Sequence, residues 1–232
     1  MDIPSIMRMR EFESCLKGWE IKQLLGKGGY GEVYNVCKES KGHVIKDDCD
    51  YAVKVSVIED KIDENRFLHE VDITKRMSNA GISPKLYEYQ VCEVKGVFYG
   101  IVVVEKYDMT LTKYLQRNLL TNKDYAAIKA LVDTMHRSGI AHLDLKHDNV
   151  MMKRKPKTFA LIDYGFAVFV GKEVPLIGMN TDVMLDYYNL LYGDCMTKQE
   201  RTNIALQMKI GNRWDPRHID RSYLCSLKEL QP

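Results

Sequence analysis

The eight residues HLDLKHDN, His142 to Asn149, set two His, two Asp, a Lys and an Asn against apolar sequence on either side. Groups so polar are costly to bury unless they are paired or have a chemical task. Asp144 is a candidate to orient a hydroxyl and accept its proton, and Lys146, two residues on, to stabilise negative charge. Asp163 opens the tripeptide DYG after the apolar run FALI, at the end of what reads as a buried strand. Gly165 lets the chain turn sharply there. Mg2+ takes few, hard oxygen ligands, and the Asn149 amide oxygen with the Asp163 carboxylate would meet that need. A surface loop of capping Asp and Asn residues accounts for any one of these positions, but not for the set.

Two further groups lie upstream. The stretch LGKGGYGEV places Gly26, Gly28 and Gly31 in a G-x-G-x-x-G frame followed by Val33. Glycines at a hairpin tip are usually turn formers, so the context decides. Here the frame lies between two strands rather than between a strand and a helix. That disfavours a dinucleotide fold and suits a flap whose backbone N–H groups cover phosphates. Lys54 sits in the strand-like YAVKV. Such a Lys snorkels to water or, if buried, needs a partner. Glu70 on the following helix is one candidate, and the pair would leave the ammonium aimed at phosphate oxygens. Glu64 competes, although it precedes the apolar face of that helix.

The elements that must position these groups change character along the chain. Met1 to Lys17 reads as a short helix or an arm. WEIKQLLGKGGYGEVYNVCK reads as strand, Gly-rich turn, strand, and YAVKVSVI as a third, β-branched strand. ESKGHVIKDDCD between them is polar, as a long hairpin connection would be. IDENRFLHEVDITKRMSNAG reads as a helix with Phe67, Val71 and Thr74 on one face and Gly81 as its stop. Two more strands, hinged at Gly96, lead to Tyr107. The period then turns helical: Ile128, Leu131, Val132 and Met135 share a face, with Gly139 at the C-terminal cap. NTDVMLDYYNLLYG reads as a further apolar helix, and the tail from Asp194 as one or two more. The expected organisation is therefore an arm over 1–17, a mostly β lobe over 18–106 and a mostly α lobe over 107–232.

Composition excludes several function classes. The 232 residues are 45% hydrophobic, enough for a sizeable core. A net charge of +2 lacks the basic signature of a nucleic-acid binder, and the run Lys153–Lys155 with Lys157 reads as a solvated loop. No apolar run is long enough to span a bilayer. The six cysteines form no C-x-x-C pair, which argues against a zinc or redox motif. Their scattered spacings suit a reducing compartment, so the cytoplasm, or a host's cytoplasm, is expected.

Taken in order, these motifs resemble the protein kinase family. GKGGYGEV is similar to its Gly-rich loop, YAVK to its V-A-I-K strand, and FLHEVDITKRM to the helix carrying the Lys-paired Glu. HLDLKHDN is similar to H-R-D-L-K-x-x-N and DYG to D-F-G. The resemblance covers Leu25 to Gly165, more than half of the chain. It implies an α+β, bilobal protein-kinase-like fold, with a β-rich N-lobe and an α-helical C-lobe. It also implies ATP and Mg2+ as cofactors and a protein as substrate. Asp144 would be the base, Lys146 would act on the transferring phosphoryl, Lys54 and Glu70 would set the phosphates, and Asn149 and Asp163 would hold the metal. Lys146 matches Ser/Thr kinases rather than tyrosine kinases. Gly26, Lys27, Gly28, Gly29 and Gly31 would cover the phosphates. VVVEKY would be the hinge, with Val104 as gatekeeper and the backbones of Glu105 and Tyr107 meeting adenine. Leu25, Val33, Ala52 and Met151 would sandwich the ring.

The sequence also departs from that pattern. Leu143 stands where the family has the Arg that pairs with a phosphorylated activation loop. Asp182, in the anchoring position of the next buried helix, follows Asp163 by only nineteen residues, with no A-P-E between. Fifty residues follow Asp182, so the helical C-terminus reads as trimmed, as in the minimal kinases of viruses and bacterial effector systems. The expectation is an enzyme that needs no loop phosphorylation, or one switched on by a protein partner. Two alternatives remain: a kinase fold used only for binding, and a small-molecule kinase of the aminoglycoside or choline type.

Overall fold

Alternation of apolar residues with period two builds the first part of the chain into an antiparallel sheet. The structure is a computed structural model, and it describes residues 15–28, 31–40, 43–44 and 49–169. The described residues fall into two units, one within residues 15–79 with 84–107, the other of residues 80–83 with 108–169.

In the first unit the strands are β1 (Trp19–Gly28), β2 (Gly31–Ser40), β3 (His43–Val44), β4 (Tyr51–Ile58), β5 (Leu86–Val94) and β6 (Val97–Glu105). Helix α1 (Lys61–Asn79) lies between β4 and β5 in sequence. The sheet order is β1-β2-β4-β6-β5, with β3 attached to β2. One face carries Tyr34, Val36, Val53, Val55, Tyr99, Ile101 and Val103 into a core with Cys15, Leu16 and Trp19. Directly opposed residues share a face. Val33, Lys54 and Val102 therefore form one row of the other face, and Asn35, Ala52, Val104 and Leu86 another.

Helix α1 packs on that second face through Phe67 and Val71, against Ile58 and Val102. Ile73 and Met77 complete the buried stripe, while Thr74 is only half-buried. Each such large apolar side chain contributes about 1.5–3 kcal/mol on burial. Asp60 caps the helix by accepting from the N–H groups of Ile62 and Asp63, at 2.8 and 2.9 Å. A residue just beyond the strand end thus fixes where the helix starts, and with it which helical side chains reach β4.

The cysteines differ from the expectation of separate, reduced thiols. Cys15 is disulfide-bonded to Cys92, and Cys37 to Cys49. The fold of the first unit brings these residues together across 77 and 12 positions, which spacing alone does not reveal. Gln90 also donates its side-chain amide to the Cys15 carbonyl. Cys195 and Cys225 lie outside the described residues.

The second unit contains β7 (Met109–Thr110), α2 (Leu111–Leu115), α3 (Asn122–Arg137), β8 (Ile140–Ala141), a 3-10 turn (His147–Asn149), β9 (Val150–Arg154), β10 (Lys157–Leu161) and β11 (Val168–Phe169). Helix α3 starts at a capping box in which Thr121 and Asp124 satisfy each other's backbone N–H. It ends at Gly139, whose φ of +73° only glycine adopts readily and whose N–H bonds to the His136 carbonyl. Ile128, Val132 and Met135 are buried along it. The β9–β10 hairpin turns through a cis Lys155–Pro156 peptide and pairs with β7, while β8 pairs with β11. Ile82 belongs to this unit because its carbonyl accepts from the N–H of Leu161. The expected helix around Asp182, the shortened segment before it, the tail from Asp194 and most of the N-terminal arm lie outside the described residues. Among the described residues, no helix is long and apolar enough to cross a membrane.

Candidate active site

In the first unit the Gly-rich stretch is the end of the β1–β2 hairpin. Lys27 opposes Glu32 and Gly28 opposes Gly31, with Gly29 outside the described residues. Gly31 has φ +143°, and a Cβ there would stand 2.3 Å from the Val55 carbonyl oxygen. No other residue fits without moving backbone. Gly26 and Gly28 have nothing within 4 Å of a Cβ position, so open space lies over them. Glu32 is buried although it is a carboxylate. It accepts from the Tyr34 hydroxyl and pairs with Lys27 at 3.2 Å, so the hairpin is tied across its two strands.

Lys54 lies one row from Ala52 on the same face, and its Nζ meets Glu70 Oε1 at 2.6 Å. The face explains the pairing: α1 covers it, and Glu70 is one turn from both Phe67 and Ile73. Glu64 instead pairs with Lys61, so the two candidates are separated. Val33, Ala52 and Val104 share that sheet face with Lys54. Leu25 is exposed at a register irregularity between Leu24 and Gly26. At the end of β6, the Glu105 N–H donates to the Lys85 carbonyl at 2.8 Å. Tyr107 is half-buried and ends the unit.

In the second unit the loop after β8 is anchored by two buried side chains. His142 and Leu145 are fully buried. The His142 Nε2 bonds to the Ile162 carbonyl at 2.9 Å, and its ring lies 5.0 Å from that of Tyr164. Leu143 between them has φ +62°, a left-handed conformation that costs an L-residue about 1–2 kcal/mol. Asp144 is partly exposed and is the hub of the loop. Its Oδ2 accepts from Lys146 Nζ at 2.8 Å and from Asn149 Nδ2 at 3.1 Å, and Nδ2 also donates to the Asp144 carbonyl at 2.8 Å. With Nδ2 committed, Oδ1 is the Asn149 atom available to a cation. The hydrogen bond to Asp144 is the largest influence on Lys146. With the charges of Asp144, Asp163 and Asp148 it outweighs burial and raises the ammonium above its ordinary value.

The second acidic residue arrives beside this loop. The Ile162 N–H donates to the Asn149 carbonyl at 3.0 Å, which sets Asp163 next to Asn149 along the chain path. Asp163 has φ +67°, again left-handed. Tyr164 is fully buried, and its hydroxyl meets Ser83 Oγ at 2.6 Å and the Leu161 carbonyl at 3.3 Å. Met151 sits on β9 opposite Ala160 and Thr110. Among the described residues no three His, Cys, Asp or Glu side chains gather as a metal set. The donors present, one carboxylate and one amide oxygen, fit a hard cation that draws its other ligands from phosphate and water. Sequence reasoning missed Ser83, Glu32 and Tyr34. The one signal for Ser83 was the Tyr in DYG, a hydroxyl entering a buried position.

The family model of the protein kinase domain matches residues 19–189. Among curated proteins, the chain is 27% identical to the serine/threonine-protein kinase PknD of Chlamydia pneumoniae over 71% of this chain and 19% of that protein. It is 28% identical to calcium-dependent protein kinase 4 of Plasmodium berghei, over 62% of this chain and 28% of the relative. The chain thus spans less than a third of the length of either relative. A strand-rich unit with a Lys–Glu pair, a loop centred on Asp144 and a left-handed Asp163 agree with that match, and the chain belongs to the protein kinase family.

Proposed function

We propose that the chain transfers the γ-phosphoryl group of ATP to Ser or Thr hydroxyls of protein substrates. The observation that carries this reading is the hub at Asp144, where Lys146 and Asn149 converge on one carboxylate. Asp144 orients the attacking hydroxyl and accepts its proton as the new bond forms. Lys146, held protonated by that same carboxylate, offsets negative charge on the transferring group. Lys54, fixed by Glu70, positions the phosphates, and Gly26, Lys27, Gly28, Gly29 and Gly31 lie over them. Mg2+ bound by Asn149 Oδ1 and Asp163 would neutralise the phosphate charge. The adenine ring is assigned to Leu25, Val33, Ala52, Val104 and Met151, with the Glu105 and Tyr107 backbones.

Leu143 supports a second part of the proposal. A leucine cannot pair with a phosphate, so transfer does not require a phosphorylated activation loop, and a protein partner is the remaining route to regulation. The compartment belongs to the same proposal: the cytoplasm, or a host's cytoplasm, against which the two disulfides weigh. The test is transfer from radiolabelled Mg-ATP to lysate proteins and to small alcohols, before and after phosphatase treatment. Labelled protein substrates are expected, with activity surviving the phosphatase. Asp163→Ala is expected to lower kcat by about a hundredfold or more with the fold intact. Nucleotide binding without transfer, or labelling of small alcohols alone, would replace this reading.

A further inference from the structure

The strongest unassigned feature is the hydroxyl pair at the DYG turn. Tyr164 is fully buried and Ser83 nearly so. Their oxygens stand 2.6 Å apart although 81 positions separate them in sequence. Nothing apolar requires a hydroxyl on either side chain, since a Phe and an Ala would fill the same space without polar atoms to satisfy.

The neighbouring residue explains its placement. Asp163 holds a left-handed backbone that an L-residue keeps only when its surroundings enforce it. On the N-terminal side, the Ile162 N–H and carbonyl are fixed by Asn149 and His142, at 3.0 and 2.9 Å. On the C-terminal side, the Tyr164 carbonyl accepts from Ala167, and the Tyr164 side chain reaches Ser83. The segment carrying Ser83 is itself docked, because the Ile82 carbonyl accepts from Leu161 at 2.9 Å.

We infer that Ser83 is a positioning residue, which acts through the Tyr164 hydroxyl to hold the Asp163 carboxylate in its metal-binding orientation. This rests on the reading of Asp163 as a metal ligand. Removing either hydroxyl breaks the one bond that joins the two segments, with the Tyr164 hydroxyl keeping only its longer bond to the Leu161 carbonyl at 3.3 Å when Ser83 is changed, and removing both breaks that same bond. The two single variants and the double variant should therefore behave alike rather than multiply.

The experiment compares wild type, Ser83→Ala, Tyr164→Phe and the double variant in three measurements. In hydrogen exchange without nucleotide, the amides of residues 163–166 are expected to lose protection about tenfold in each single variant, with the rest of the chain unchanged. In turnover, the Mg2+ concentration for half-maximal rate is expected to rise about tenfold. The ATP KM at saturating Mg2+ should hold. The double variant is expected to match the singles instead of reaching their product. Unchanged local exchange, or effects that multiply, would overturn the inference. So would a fall in Tm with protection lost throughout while the Mg2+ dependence stays put, because that is a purely structural role. If wild type transfers no phosphate, the kinase reading fails, and the local exchange still decides whether the clamp exists.

Discussion

Glu70→Gln removes one charge and keeps the size of the side chain, so it isolates what the ion pair with Lys54 does. Two unit charges about 4 Å apart attract by about 1 kcal/mol in bulk water and about 4 kcal/mol near a protein surface. Lys54 and Glu70 are 25% and 21% exposed, which places the pair at the near-surface value. Desolvation of both ions offsets much of the attraction, so the stability lost should be only about 1 kcal/mol. The catalytic loss should be larger. Without the carboxylate 2.6 Å away, Lys54 Nζ loses the tie to α1 that helps set its position. A displacement of about 1 Å at a positioned group costs about a hundredfold, or about 2.7 kcal/mol of barrier. Thermal unfolding and steady-state transfer from labelled ATP, run on the same preparation, read the two quantities separately. The expected result is a Tm lowered by a few degrees with kcat lowered about a hundredfold. A variant with turnover within threefold of wild type would refute the positioning argument, even if Lys54→Met proved inactive.

Gly31→Ala should destabilise the β1–β2 hairpin, because the added Cβ meets the Val55 carbonyl oxygen at 2.3 Å while Gly26→Ala meets nothing. Urea melts should show a loss of about 1–3 kcal/mol for the first and less than 1 for the second, and equal losses would refute the contact. Lys157 bonds to Asp124 at 2.7 Å and to the Tyr114 hydroxyl at 3.0 Å. Burial is the largest influence on each and opposes its charge, yet the mutual hydrogen bond and attraction win, lowering Asp124 and raising Lys157. The pair's contribution is therefore complete between about pH 4 and about pH 10, lost as pH falls through the depressed Asp124 value or rises through the raised Lys157 value. Lys157→Met should cost about 1–2 kcal/mol at pH 7 by denaturant melts, given that Lys157 is 35% exposed, and the difference should shrink below pH 4. A difference that does not vary with pH would refute the pairing. Reductant should lower Tm, since the Cys15–Cys92 and Cys37–Cys49 links close loops of 77 and 12 positions. Chain entropy puts them at up to about 4 and about 3 kcal/mol. Alkylation of all four thiols before any reductant, with Tm unchanged on its addition, would show that the links do not form.

Much of this was legible in the sequence because local rules act locally. The strands of the first unit show in the alternation of Val36, Val53, Val55 and Val103, and α1 in the spacing of Phe67 and Val71. The sequence already favours Glu70, because Glu64 precedes the apolar face of α1, and in the structure Glu70 meets Lys54 while Glu64 pairs with Lys61. The disulfides were illegible. Cys92 lies on an edge strand, and its partner precedes β1, so only the finished sheet shows their proximity. Ser83 was hidden more thoroughly, because a single Ser in a short connection carries no periodicity or motif.

The positive φ angles are where local propensity and site geometry part. Leu143 and Asp163 are both left-handed, a region that aspartate visits only occasionally and leucine hardly at all. Each stands beside a fully buried aromatic side chain, His142 and Tyr164, whose rings are 5.0 Å apart. The His142 ring in turn bonds the carbonyl just before Asp163. Two strained residues thus share one buried anchor, so relaxing either backbone would disturb the packing that holds the other. Leu143 fits this arrangement better than a charged residue would: it is half-buried, and a guanidinium there would need a partner.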